Sequence, residues 1–183
     1  MALDEQNGYS EQSGDDDRSA PAQPSQPAPV SPVQPARSVY EQQRQTECAP
    51  YQEAYEGSLN ALFCVVSHAA PSEPEQRALM ATATHEGFVA QDIIWIATHN
   101  LDASGLATLI ESVDPLCVVV LDQRTAEKLS RAYNQPFKLE SCDTVLGRPC
   151  CCFVDFARML ETDSRKQRAW ALLKEMLSCI RFR

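Results

Sequence analysis

The 183-residue sequence has no apolar run of membrane-spanning length. It opens with no basic stretch followed by an apolar one, so no secretory signal is expected and the chain reads as cytoplasmic. Glycine is scarce at six residues, and no Gly-rich phosphate loop is present, neither GxxxxGK[ST] nor GxGxxG after a strand. HExxH, GxSxG and CxxC are missing too, which removes the common signatures of zinc peptidases, serine hydrolases and thiol redox enzymes. Only three histidines occur, His68, His85 and His99, and they are scattered. No internal repeat is evident. No metal and no cofactor is expected from these absences.

Acidic residues are plentiful but uneven. Residues 1–56 carry ten acids and three bases, whereas residues 57–183 carry fifteen acids and thirteen bases. The net charge of −9 therefore belongs mainly to the N-terminal third and says little about what the remainder binds. Residues 1–37 contain the charge run DDD and the segment APAQPSQPAPVSPVQPA, a composition that buries nothing and predicts an extended, partly polyproline tail. Residues 38–56, SVYEQQRQTECAPYQEAYE, read as a short helix or an arm. The expected organisation is an acidic, Pro-rich tail and arm over 1–56 and a folded domain over 57–183.

From residue 57 the pattern changes. Apolar strand candidates stand at ALFCVVSH (61–68), DIIWIAT (92–98), LCVVVLD (116–122) and PCCCFVD (149–155). Helical stretches fall between and after them: 73–87, GLATLIESV (105–113) with Leu106, Leu109, Ile110 and Val113 on one face, QRTAEKLSRAY (123–133), and about 163–179. Strands without polar alternation are covered on both faces. The expectation is an α/β fold of three layers, α/β/α, around a mostly parallel four-stranded sheet.

Eight cysteines invite a metal or redox reading. Most sit in apolar settings, and the run Cys150–Cys152 lies within a strand candidate, where adjacent side chains face opposite ways. Three in a row do not converge on one metal in that geometry, so core packing is the expectation. His68 and His99 fall at C-terminal strand ends, the edge where open α/β sheets hold ligands. They read either as pocket imidazoles or as strand-end residues partly in water.

The C-terminal half resembles the uracil-DNA glycosylase superfamily in its bacterial iron–sulfur branch. The segment GLATLIESVDPLCVVVLDQRTAEKL (105–129) is similar to the family's LxxQIxxVxP helix, apolar strand and A-A-x-x-L helix. The segment GRPCCCFVDFARMLETDSRKQRAWALL (147–173) resembles its G-x-P, strand, T-Y-H-P-x-x-L-L and K-x-x-A-W-x-x-L elements, with Gly147, Pro149, Ala157, Leu160, Lys166, Ala169, Trp170 and Leu173 on matching positions. LMATATHEGFVAQDIIWIAT (79–98) looks like the segment leading into the family's second strand, and the likeness spans about residues 60–178.

The resemblance implies a glycosylase-like fold without the chemistry. The family's catalytic His falls on Asp155 and the strand-closing Asn on Thr98. His68 stands in the position of a Glu in the turn after the first strand, the stretch supplying the stacking aromatic looks deleted, and the cluster cysteines are absent apart from Cys48 at a first-pair position. Excision extrudes a base and stabilises a departing anion. A lost donor there is worth about 3–4 kcal/mol, by analogy with an oxyanion-hole donor. His68, Thr98 and Asp155 are thus degenerate motif positions, and no catalytic residue is assigned.

The psi subunit of the bacterial replicative DNA polymerase III clamp loader is similar as well. It shares a glycosylase-like fold without glycosylase chemistry and has a partner-binding N-terminal arm. This chain departs from it in retaining LIESVDPLCVVVLDQRTAEKL. Together the two resemblances imply a DNA repair or replication protein that binds or scaffolds, with a psi-like accessory subunit as one alternative and a divergent glycosylase using Asp155 as another. Replisome or repair proteins and DNA are the implied partners.

From Arg158 onward there are seven bases against three acids. Arg158, Arg165, Lys166 and Arg168 read either as phosphate contacts or as an ordinary solvated helix face. In the last helix, Ala169, Trp170, Leu173, Met176, Leu177 and Ile180 share a broad apolar face, which predicts that Trp170 is buried.

Overall fold

Four short runs of branched and sulfur-bearing residues form the centre of one sheet. A computed structural model describes residues 38–180. In chain order the elements are α1 (Val39–Cys48), β1 (Tyr55–Gly57), β2 (Phe63–Ser67), α2 (Glu73–His85), β3 (Ile93–Ala97), α3 (Ala103–Val113), β4 (Cys117–Val120), α4 (Gln123–Tyr133), β5 (Ser141–Val145), β6 (Arg148–Cys152), α5 (Phe156–Met159) and α6 (Asp163–Ser178). The sheet order is β1-β3-β2-β4-β6-β5. The inner strands β3, β2, β4 and β6 are parallel, and β1 and β5 pair antiparallel at the two edges.

The three-layer α/β architecture is thus present, with six strands where four were expected. Alternation of side chains divides the core into two layers. Cys64, Val66, Ile94, Ile96, Val118, Val120, Cys150 and Cys152 face α3, α4 and Cys48 of α1. Phe63, Val65, Ile93, Cys117, Val119 and Cys151 face α2, α5 and α6. Cys150 to Cys152 are all buried, split between the layers as strand filler.

Helix ends follow their local chemistry. Ser38 with Glu41 and Ser72 with Glu75 form capping boxes. Asp102, Asp122, Asp155 and Thr162 cap α3, α4, α5 and α6 with side-chain oxygens. Asp114 (φ 51°) and Asn134 (φ 49°) end α3 and α4 in the left-handed region. The β5–β6 hairpin turns on Leu146 and Gly147, both at positive φ, the signature of a two-residue primed turn.

Two features differ from expectation. The segment 38–56 opens with the expected short helix, α1, but it is not separate from the domain. The described residues fall in one compact unit, Cys48 is fully buried, and β1 pairs with β3 from Tyr55↔Ile96 to Gly57↔Ile94. Residues 38–56 therefore belong to the domain that was expected to begin at 57. The expected tail over 1–37 lies outside the described residues. Second, Trp170 is 45% exposed. Ala169, Leu173, Met176 and Leu177 take the inner stripe of α6, which leaves Trp170 on its flank. There its ring lies 6.4 Å from that of His85 on α2 and carries the Lys174 ammonium 4.8 Å from its centroid.

Candidate functional site

Chain order places the site. From β2 the chain crosses to β3 on one side, then returns past β2 to β4 on the other. The crevice between the C-terminal ends of β2 and β4 is therefore the topological switch point, where open α/β sheets bind ligands. His68 leaves the end of β2, Thr98 follows β3, Asp122 follows β4 and Asp155 follows β6.

Asp122 organises this edge. Its Oδ2 accepts the backbone N–H of His68 at 2.7 Å and the Thr125 hydroxyl at 2.9 Å. Its Oδ1 accepts the Thr125 N–H at 2.9 Å. The Thr125 proton is spent on Asp122, so the Thr98 hydroxyl, 3.3 Å away, donates to Thr125. Both threonines are fully buried. The Thr98 N–H donates to Ser67 O at 2.8 Å. The Lys128 ammonium donates to the carbonyls of Thr98 and Leu101 and holds the loop after β3. Asp122, Thr125, Thr98 and Lys128 thus tie β2, β3 and α4 together at this edge.

Asp155 is committed as well. It forms an isolated bridge with Asp122, flanked by bonds from Gln123 N to Val154 O and from Phe156 N to Leu121 O. Its Oδ1 accepts the Arg158 N–H at 3.1 Å as the cap of α5, and its Oδ2 lies 3.4 Å from Arg158 Nε.

His68, Asp122, Gln123, Arg124, Glu127, Val154 and Asp155 line an open cleft of about 580 Å3. Three carboxylates against one guanidinium give its rim an acidic balance. The structure thus brings His68 and Asp155 to one cleft. Thr98 is not in it; it is buried beneath. His99 lines a different depression, with Tyr51, Ala54 and Leu101.

Each proposed phosphate contact carries an acidic partner. Arg158 pairs with Asp155, Arg165 with Glu161 at 3.0 Å, Lys166 with Asp163 at 3.3 Å, and Arg168 with Glu140 at 2.8 Å. All four cations are exposed, and such surface pairs are worth about 0–1 kcal/mol each.

Cys64, Cys117 and Cys150 are held as thiols. Burial pushes Cys64 up to about 12 and raises Cys117 above the ordinary thiol range, and the Cys152 sulfur, reinforced by burial, raises Cys150. A metal ligand needs the thiolate. Among the described residues no group of three or more His, Cys, Asp or Glu side chains converges as a metal site.

Sequence reasoning missed Asp122, Thr125 and Lys128. The signal was present in LDQRT: an Asp at the end of an apolar strand, three residues before a Thr, is the spacing of a side-chain cap that opens a helix. No family model matches the sequence, and no curated protein matches it. No helix is long and apolar enough to cross a membrane among the described residues.

Proposed function

We propose that this chain is a catalytically inactive protein of uracil-DNA glycosylase-like fold that binds or scaffolds partners in cytoplasmic DNA repair or replication. The observation that carries the reading is the state of Asp155. This residue stands where the resemblance puts the catalytic His, and both of its oxygens serve α5 and Arg158. A carboxylate there repels a departing uracil anion rather than stabilising it. Thr98, in the place of the family's Asn, is sealed from the cleft with its hydroxyl spent on Thr125. The reading is therefore of an edge whose polar atoms have become structural.

DNA contact remains part of the proposal through Arg158, Arg165, Lys166 and Arg168. Their weak surface pairs exchange readily for phosphates, so pairing lowers the patch's field without sequestering it.

The psi-like reading has one observation in its favour. Val39 and Tyr40 on the outer side of α1 are 81% and 58% exposed, an apolar feature in the segment where the resemblance implies a partner contact. Truncations that test the tail should stop at residue 37, because 38–57 belongs to the domain.

Two measurements test the proposal. The first is base excision from duplexes carrying uracil and a panel of other damaged bases. No release above the buffer rate is expected, and a rate abolished by Asp155→Asn would establish a divergent glycosylase instead. The second is affinity capture of the full-length chain from its own cells. Recovery of repair, clamp-loader or single-strand-binding proteins supports the reading. Loss of that recovery in Val39→Ser/Tyr40→Ser selects the psi-like form. Recovery of none of these proteins refutes the scaffold.

A further inference from the structure

Cys142 of β5 stands directly opposite Cys151 of β6 in the antiparallel register. Directly opposed residues project to the same sheet face. Here that face is the one under α6, where Cys151 belongs to the core and Cys142 packs at its margin. Opposed Cα atoms in an antiparallel pair lie about 4.5 or 5.5 Å apart according to the type of pair. Both spacings fall inside the roughly 4.4–6.8 Å that a disulfide spans.

The two thiols differ in access. Cys151 is fully buried, while Cys142 is half-buried on the edge strand, its Sγ 3.2 Å from Leu172 O. The other close pair, Cys150 and Cys152 with sulfurs 3.7 Å apart, is wholly buried on the opposite face, out of reach of an oxidant.

We propose that Cys142 and Cys151 are a redox-modification site, which a hydroperoxide converts to an intrachain disulfide. The Cys142 sulfur attacks the peroxide O–O bond, takes one oxygen as a sulfenic acid and releases water, or an alcohol from an organic peroxide. The Cys151 sulfur then attacks the sulfenic sulfur. Its proton leaves with the hydroxyl as water. Two thiols lose two electrons, and the peroxide oxygens gain them.

Polarisation of the pair runs in the required direction. The Cys151 thiol opposite holds Cys142 below the ordinary thiol range, and the Cys142 sulfur together with burial pushes Cys151 up. Cys142 is thus the attacking sulfur and Cys151 the resolving one. The product fastens edge strand β5 to β6, whose C-terminal end runs on to Asp155 and the cleft. It is independent of the scaffold proposal.

The test is to expose the full-length protein to graded hydrogen peroxide, denature it in an alkylating reagent, and cleave after Asp143. Cleavage there puts the two cysteines on separate peptides for mass spectrometry. The expected result is a Cys142–Cys151 crosslink that is reversed by dithiothreitol, lost in Cys142→Ser and in Cys151→Ala, and kept in Cys179→Ser. Sulfinic acid at Cys142 with Cys151 still alkylated would overturn the proposal, as would a crosslink between chains through Cys179. Mapping of the unaltered chain decides the matter even if the Cys151 variant fails to fold.

Discussion

Replacing Asp122 with alanine removes one carboxylate and three hydrogen bonds. The α4 cap alone is worth about 1 kcal/mol. A hydrogen bond to a charged group contributes about 1.5–3 kcal/mol net, and the Thr125 hydroxyl and N–H lose their acceptor in a fully buried position. These terms overlap, because the cap and the Thr125 N–H are the same bond. About 3–5 kcal/mol is the resulting loss for Asp122→Ala, a large part of the ~5–15 kcal/mol that holds a domain together. At a urea slope of about 1–3 kcal/mol per molar, the midpoint falls by at least about 1 M. Asp122→Asn keeps an equally good cap oxygen and forfeits the second acceptor, so its loss should be about half as large. Urea titrations followed by circular dichroism measure both. A loss below about 1 kcal/mol in the alanine variant would mean that the network across β2, β3 and α4 does not hold this edge. An asparagine variant as unstable as the alanine one would show that charge, not acceptor count, is what matters.

Gly57 closes β1 at φ 119°, and an added Cβ would stand 2.6 Å from Ile93 O. Gly57→Ala should therefore cost about 1–3 kcal/mol through strain and free the β1 edge, read as a lowered Tm and faster amide exchange at Tyr55 and Glu56. Alkaline pH acts on the core thiols. Cys64 titrates near 9.0 when exposed and at about 12 in the fold. Above pH 9 the unfolded chain binds fewer protons than the native one, so its contribution is complete below pH 9 and declines up to pH 12. The slope is about −1.4 kcal/mol per pH unit for each such thiol. Denaturation midpoints should fall steeply over that range, and less so in Cys64→Ala relative to its own value at neutral pH; equal slopes in the two proteins would refute the account.

The parallel centre of the sheet was legible because a strand covered on both faces has to be apolar throughout, and FCVV, IIWI, CVVV and PCCC are runs of that kind. The edge strands were not. β5 reads SCDTV, with only Val145 buried, and its turn uses Leu146 where asparagine or aspartate would signal a hairpin. β1 is three residues long and owes its place to pairing with β3, which no local pattern announces. Trp170 was misplaced because helical periodicity defines a stripe but not its width, and the α6 seat on the sheet is narrow enough to leave the flank to solvent. At the site, strand-end positions placed His68 and Asp155 on the correct edge. Whether they share a cleft depends on the strand order, and the burial of Thr98 depends on Thr125 from a helix three elements later.

Under the proposed reading, the location of Asp122 accounts for how an active site is lost while its frame persists. A switch-point crevice leaves strand-end backbone groups without ladder partners, and something has to satisfy them. In a ligand-binding protein part of that task falls to the bound molecule. Here Asp122 takes the His68 N–H and the Thr125 donors, Lys128 takes the carbonyls of Thr98 and Leu101, and Asp155 caps α5. Groups saturated in this way gain little from a ligand and lose bonds if one displaces them. The opening that remains is wide and rimmed by Asp122, Glu127 and Asp155, a poor seat for a phosphodiester. Any nucleic acid contact therefore belongs to the α5–α6 cations, away from the crevice, and neutralising Arg165, Lys166 and Arg168 together should weaken it while leaving the cleft untouched. Salt-dependent binding to duplex DNA measures this: the slope of log affinity against log salt should fall by about 0.9 per lost phosphate contact, and an unchanged slope would remove these residues from the interface.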